Sequence, residues 1–137
     1  MLNSIFQVKI IDFGLVRVNE LLFGEEAMNT MTKGVGLELF MSPEMMNEED
    51  YDNKTDVYSF GIVLYFIFFG KMPNQSMKDR SLGKPIKLPK ENFNVSKICI
   101  DLMGKCLTTD PKNRPSFDEI LNYLRANKFM LSSDVDP

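Results

Sequence analysis

Asp12-Phe13-Gly14 closes an apolar run with a carboxylate set beside a glycine, a combination suited to holding a divalent cation together with phosphate oxygens. By itself such a tripeptide is most often an ordinary strand-end turn. Three further words follow it in order: Ser42-Pro43-Glu44, then Asp56-Val57-Tyr58-Ser59-Phe60-Gly61, then Asp110-Pro111-Lys112-Asn113-Arg114-Pro115-Ser116-Phe117. Thr30 and Thr32 stand between the first two, next to Asn29 and Lys33. The chain contains 0 histidines, which excludes imidazole acid–base chemistry, Ser-His-Asp and Cys-His triads and His-containing metal sites within it.

These residues need elements to position them. Phe6, Val8, Ile10 and Ile11 alternate and then run apolar, which predicts a short strand ending at Asp12, with Leu15 to Val18 as a second. Asn19 to Gly36 mixes Gly, Asn, Thr and acids without periodicity, the pattern of a long functional or disordered loop. Ser42-Pro43-Glu44 is a helix start, with Pro in the first turn and an acid at the positive end of the dipole. Thr55 to Phe69 is apolar on all sides between Asp56 and Gly70, and is expected as a helix in the centre of a core. Lys71 to Asn94, with Pro73, Pro85 and Pro89, reads as loops with one helical turn near Ser76 to Ser81. Ile98, Cys99, Leu102, Met103, Cys106 and Leu107 mark an amphipathic helix. Ser116 and Glu119 form a capping box ahead of a stripe of Phe117, Ile120, Leu121 and Leu124 that is expected to be buried.

The whole has 137 residues, 44% of them hydrophobic and 26% charged, an ordinary composition for one compact unit with one core. A net charge of -3 lacks the basic excess that nucleic acid calls for, so no nucleic-acid partner is expected. Cys99 and Cys106 lie seven apart, two turns along one helix face, too far for a disulfide, and read as reduced core thiols of the cytosol or nucleus. The longest apolar run, Phe60 to Phe69, falls well short of the roughly 20 residues of a membrane span, so no membrane partner is expected; the reduced thiols make a cytoplasmic location the expectation.

The ordered words resemble the C-terminal lobe of eukaryotic protein kinases, from about Leu2 to about Leu124. The resemblance implies a mainly α fold, a helical lobe around one central buried helix with a small N-terminal β-strand pair. It implies a partial kinase domain over 1–129, lacking the N-lobe and catalytic loop, with 130–137 as a tail. It makes Asp12 the Mg²⁺-holding carboxylate of a complete domain, Phe13 part of a regulatory hydrophobic column, and Gly14 the pivot of the activation segment. That segment would take in Thr30, Thr32, Leu37, Ser42, Pro43 and Glu44, with Thr30 and Thr32 where relatives accept activating phosphates and Gly34 to Ser42 seating the substrate. Asp56, Gly61 and Arg114 would be structural, Asp56 holding the catalytic-loop backbone and Arg114 meeting Glu44 as a buried ion pair. The words Asp56 to Leu64 and Asp110 to Phe117 look most like the tyrosine-kinase-like group, whereas Lys33-Gly34-Val35-Gly36 and Phe40-Met41-Ser42-Pro43-Glu44 look like Ser/Thr specificity.

The chain departs from the family where the chemistry would be. The Gly-rich loop over ATP, the strand Lys and the His-Arg-Asp catalytic loop are absent from these 137 residues, so the catalytic base is missing. Leu37 stands where Ser/Thr kinases place a Thr, which leaves a degenerate kinase open. The implied parent would transfer the ATP γ-phosphoryl group to protein Ser/Thr, with ATP and Mg as cofactors that this chain alone is not expected to bind. The rival reading is a non-catalytic, pseudokinase-like module that docks on a partner kinase or scaffold; a helical domain with coincidental motifs is the third.

Overall fold

The computed structural model describes residues 37–89 and 95–127. The expected strand pair, Asp12-Phe13-Gly14, Thr30 and Thr32 lie outside the described residues. Length alone suggested one compact unit, whereas the chain divides into two, Met1–Lys33 and Gly34–Pro137. The boundary falls in the aperiodic stretch before Gly36. All described residues belong to the second unit.

Among the described residues the fold is helical. A 3₁₀ turn, Leu37–Phe40, leads into α1 (Pro43–Met46), α2 (Lys54–Phe69), α3 (Met77–Ser81), α4 (Lys97–Cys106), a second 3₁₀ turn Pro111–Asn113, and α5 (Phe117–Ala126). α2 is about 24 Å long at 1.5 Å per residue. It ends where Gly70 turns left-handed at φ 64°, its N–H closing on the Phe66 carbonyl at 2.8 Å.

α2 and α4 form the centre of the unit. Val57, Leu102, Cys106 and Ile120 bury one end of the contact, Tyr58, Ile62 and Leu107 the middle, and Tyr65, Phe69 and Met103 the other end. Tyr65 and Phe69 meet edge to face with centroids 4.7 Å apart. The crossing depends on Gly61: a Cβ there would lie 2.9 Å from Cys106 Cβ and from the Leu107 side chain. A mid-helix glycine costs about 1 kcal/mol against alanine, and here it lets the two helices close. Both cysteines are free and buried. Burial pushes the Cys106 thiol up to about 11.

Two packing expectations need correction. α2 is apolar all round, but only one arc is covered: Phe66 and Ile67 are 51% and 64% exposed, and Val63 is exposed beside them. In the α5 stripe Ile120 is buried, while Phe117 and Leu121 are exposed. The two uncovered sets are linked by Phe117, whose ring meets Phe60 of α2 edge to face at 5.8 Å. Periodicity identifies which side chains are apolar; it does not state how much of an apolar helix its neighbours reach. No helix is long and apolar enough to cross a membrane among the described residues.

Candidate functional site

Glu44 and Arg114, 70 positions apart in sequence, meet in the interior at 4% and 2% exposure. Local chemistry delivers each of them. Ser42 and Pro43 start α1, so Glu44 sits in its first turn. Asp110 caps the following 3₁₀ turn by accepting from the Lys112 N–H at 3.0 Å and the Asn113 side-chain amide at 3.1 Å. That turn aims Arg114 inward, and the capping box of Ser116 and Glu119 starts α5 immediately after it.

The guanidinium is fully engaged. Arg114 Nη1 donates to Glu44 Oε1 and to the Lys54 carbonyl, Nη2 to Glu44 Oε2 at 2.9 Å and to the Thr109 carbonyl at 2.8 Å, and Nε to the Thr108 carbonyl at 2.7 Å. All five donors of an arginine are thereby used. Thr55 Oγ1 adds a bond to Glu44 Oε1 at 3.1 Å, Lys54 Nζ caps the Arg114 carbonyl at 2.6 Å, and the Tyr58 ring lies 4.9 Å from the guanidinium carbon. Burial opposes ionisation of Glu44 most strongly of any single influence. The bonds from Arg114, the backbone and Ser42, with the Arg114 charge, together outweigh it and hold the carboxyl below its ordinary value. Ser42 Oγ lies close enough to favour the Glu44 carboxylate but is itself buried without a partner in hydrogen-bond geometry. A carboxylate with both oxygens committed to a guanidinium is not a free base; this is a clasp, and it does no chemistry of its own.

The clasp ends a segment that is held along its backbone. Ser59 Oγ donates to the Phe40 carbonyl at 2.8 Å, and Arg80 Nη1 donates to the Leu39 carbonyl at 2.6 Å. Asn47 Nδ2 reaches the Ser81 carbonyl at 2.9 Å, so α1 is tied to α3 as well. Residues 39–47 therefore form a strap hydrogen-bonded to α2 and α3.

Among the sequence-derived site residues, Glu44 and Arg114 are brought together, with Ser42 and Pro43 buried beside them. Gly61 is at the α2–α4 crossing, away from the strap. Asp56 occupies the first turn of α2, exposed, with no side-chain bond or ion pair among the described residues. Leu37 opens the first 3₁₀ turn. No group of three His, Cys, Asp or Glu side chains that could hold a metal occurs among the described residues; Asp12, the metal candidate of the sequence, lies outside them. Sequence reasoning missed Thr55, Ser59, Tyr58 and Arg80. Thr55, Tyr58 and Ser59 lie in the first turns of α2 and could have been found by asking what a polar residue does inside an apolar helix; Arg80, between Asp79 and Ser81, carries no such signal.

Comparison with known proteins places the chain in a family. Residues 1–124 match the model of the protein kinase domain. Three relatives from Dictyostelium discoideum are the probable serine/threonine-protein kinase kinX, the RGS domain-containing serine/threonine-protein kinase A, and the dual specificity protein kinase shkD. The first is 35% identical over 98% of this chain and 12% of its own length. The second is 35% identical over 92% and 11%, and the third 33% identical over 95% and 17%. The chain thus spans less than a fifth of the length of each of these relatives. With a family match running through the strap, its clasp and the helices beneath them, this chain belongs to the protein kinase family.

Proposed function

We propose that the chain is the substrate-side part of a protein kinase domain, in the tyrosine-kinase-like group with a Ser/Thr-type activation segment, and a piece of a longer cytoplasmic kinase. The longer protein transfers the γ-phosphoryl group of ATP to Ser or Thr of a protein substrate. The observation that carries this reading is the strap of residues 39–47, held by Ser59, Arg80, Asn47 and the Glu44–Arg114 clasp. Phosphoryl transfer is mostly positioning and charge stabilisation, and a backbone fixed in this way can serve to seat a protein substrate.

The residues of this chain divide the task. Gly34 to Ser42 seat the substrate, Asp12 holds Mg²⁺ with the ATP phosphates when the domain is complete, and Gly14 lets the segment between them swing. Mg²⁺ supplies charge neutralisation on the transferred phosphoryl group. Thr30 and Thr32 are the segment's phosphate-accepting positions. The chain by itself is inactive, because its sequence holds neither the strand Lys nor the His-Arg-Asp loop. Incubating the pure 137-residue chain with ATP, Mg²⁺ and a generic protein substrate is expected to give no transfer, while the longer protein gives phospho-Ser or phospho-Thr. Transfer by the pure chain would overturn the inactivity, and phosphotyrosine from the longer protein would overturn the specificity.

A second reading is favoured by one observation, the exposure of Phe66, Ile67, Phe117 and Leu121. An apolar surface of this kind suits a non-catalytic, pseudokinase-like module that docks on a partner kinase or scaffold. A longer protein in which the catalytic loop is degenerate, bound stably to an active kinase, would establish that reading instead.

A further inference from the structure

Arg80 is among the largest fully buried side chains of the described residues, at 1% exposure, yet it sits on a five-residue helix whose other polar members face water. Its neighbour Asp79 turns outward to Lys84 at 2.7 Å. No carboxylate of the described residues forms an ion pair with Arg80, and its Nε has no partner. A buried, unpaired cation is costly and is relieved only by good hydrogen bonds. The bonds it has run to main-chain oxygens: Nη1 donates to the Leu39 carbonyl at 2.6 Å and lies 3.5 Å from that of Met41. Burial draws its pKa down, and the nearby Tyr58 draws it back up.

The carbonyl between those two, that of Phe40, is taken from the other side by Ser59 of α2 at 2.8 Å. The backbone of residues 39–41 is therefore gripped by two helices, while the side chain of Leu39 is left 42% exposed. A segment with its backbone held and a side chain turned to solvent is arranged to present a surface. We propose that Arg80 is a positioning residue that fixes residues 39–41 for contact with the protein substrate, making α3 part of the substrate-binding apparatus. This rests on the reading of Gly34 to Ser42 as the substrate seat.

Two variants separate holding from filling. Arg80→Met keeps most of the volume and removes the buried charge, so a residue that only fills space would be replaced without effect on the segment. Arg80→Lys keeps donors and charge. On the 137-residue chain, amide exchange at Met41, whose N–H bonds the Glu38 carbonyl at 3.3 Å, is the direct readout. It is expected to quicken about tenfold or more in Arg80→Met, where the net worth of one such bond is about a tenfold change in opening. Arg80→Lys is expected to lie between that variant and the wild type, with α5 unchanged in both. Equal exchange in Arg80→Met and wild type overturns the proposal. Should Arg80→Met fail to fold, the wild-type guanidinium decides: separate, slowly exchanging Nη proton signals are expected, and one averaged signal overturns the proposal. In the longer protein, with the peptide it phosphorylates fastest from a Ser/Thr library, Arg80→Met is expected to raise the peptide KM several-fold while leaving kcat and the KM for ATP unchanged. A loss falling on the KM for ATP overturns the substrate role. A wild-type longer protein that transfers no phosphate sinks the kinase reading instead, and the exchange and guanidinium measurements still decide whether Arg80 holds the segment.

Discussion

Arg114 and Arg80 are both buried arginines whose charges act on the same Tyr58, and they are treated in opposite ways. Arg114 has a carboxylate, three carbonyls and every donor used. Among the described residues, Arg80 has backbone oxygens and an unpartnered Nε. The first closes the unit by joining residues 70 positions apart; the second closes nothing comparable and grips one short stretch of chain. A paired buried charge reports on architecture, and an unpaired one that persists reports on a local demand.

The sharpest way to break this comparison is to remove one partner of the clasp. Arg114→Met strands Glu44 in the interior, and the expected loss is about 3–5 kcal/mol, the range for a buried pair cut on one side. Glu44→Ala should cost a similar amount. The double variant should cost much less than the sum, because neither charge is then left alone. Urea unfolding of the four proteins reads the coupling, and additive losses would show that the clasp is not a unit.

How far each arginine could be read from the sequence follows from the same contrast. Arg114 is announced by Asp110, Pro111 and Pro115, local residues that fold the turn carrying it, and Glu44 by the Ser42-Pro43 helix start. α2 and α5 were legible for the same reason: Gly70 stops one, and Ser116 with Glu119 starts the other. Arg80 is flanked by Lys78, Asp79 and Ser81, the spelling of a solvated turn, and its burial comes from residues some 40 positions earlier. Phe117 and Leu121 fail in the opposite direction: their spacing spells a buried stripe, but coverage depends on what lies across from it. Asp12, Thr30 and Thr32 stand outside the described residues, so the metal and phosphate-acceptor assignments rest on sequence alone.

Gly61 tests whether the architecture beneath the clasp is as tight as the clasp itself. Gly61→Ala places a methyl 2.9 Å from Cys106 and Leu107, so α2 and α4 must part or repack. The gain in helix propensity offsets a part of this, and the net loss is expected at about 1–3 kcal/mol. A neutral or stabilising result would mean the crossing is looser than these distances. Alkylation of Cys106 offers a second gauge. With its thiol pKa near 11, iodoacetamide should barely label it at pH 7.5 in the wild type and faster in Gly61→Ala.

Smaller again is the cap that follows Arg114. Ser116 Oγ accepts from the Glu119 N–H at 3.2 Å, and Glu119 returns a bond to the Ser116 N–H at 2.7 Å. Ser116→Ala should cost about 1 kcal/mol by thermal unfolding. If the loss instead approached that of Arg114→Met, the cap would be holding the arginine turn and not only the start of α5.

The gentlest probe of the clasp is pH, which weakens it without removing an atom. Glu44 has a folded pKa held below its ordinary 4.5, so its contribution is fully present above about pH 4.5 and is lost as pH falls through the folded value. One proton changes stability by at most about 1.4 kcal/mol per pH unit over that window. The loss should be smaller than that of truncation, since a protonated carboxyl still accepts bonds from Arg114 and Thr55. The groups facing Glu44 and its clasp are Arg114, Lys54, Thr55, Ser42 and Tyr58. Asp79 and Glu119 are also lowered, by bonds to Lys84 and Ser116, and fall in the same direction. The informative quantity is therefore the difference between wild type and Glu44→Gln. The wild type should lose more stability than the variant between pH 5 and pH 3, and parallel profiles would show that the Arg114 side of the comparison owes nothing to the Glu44 charge.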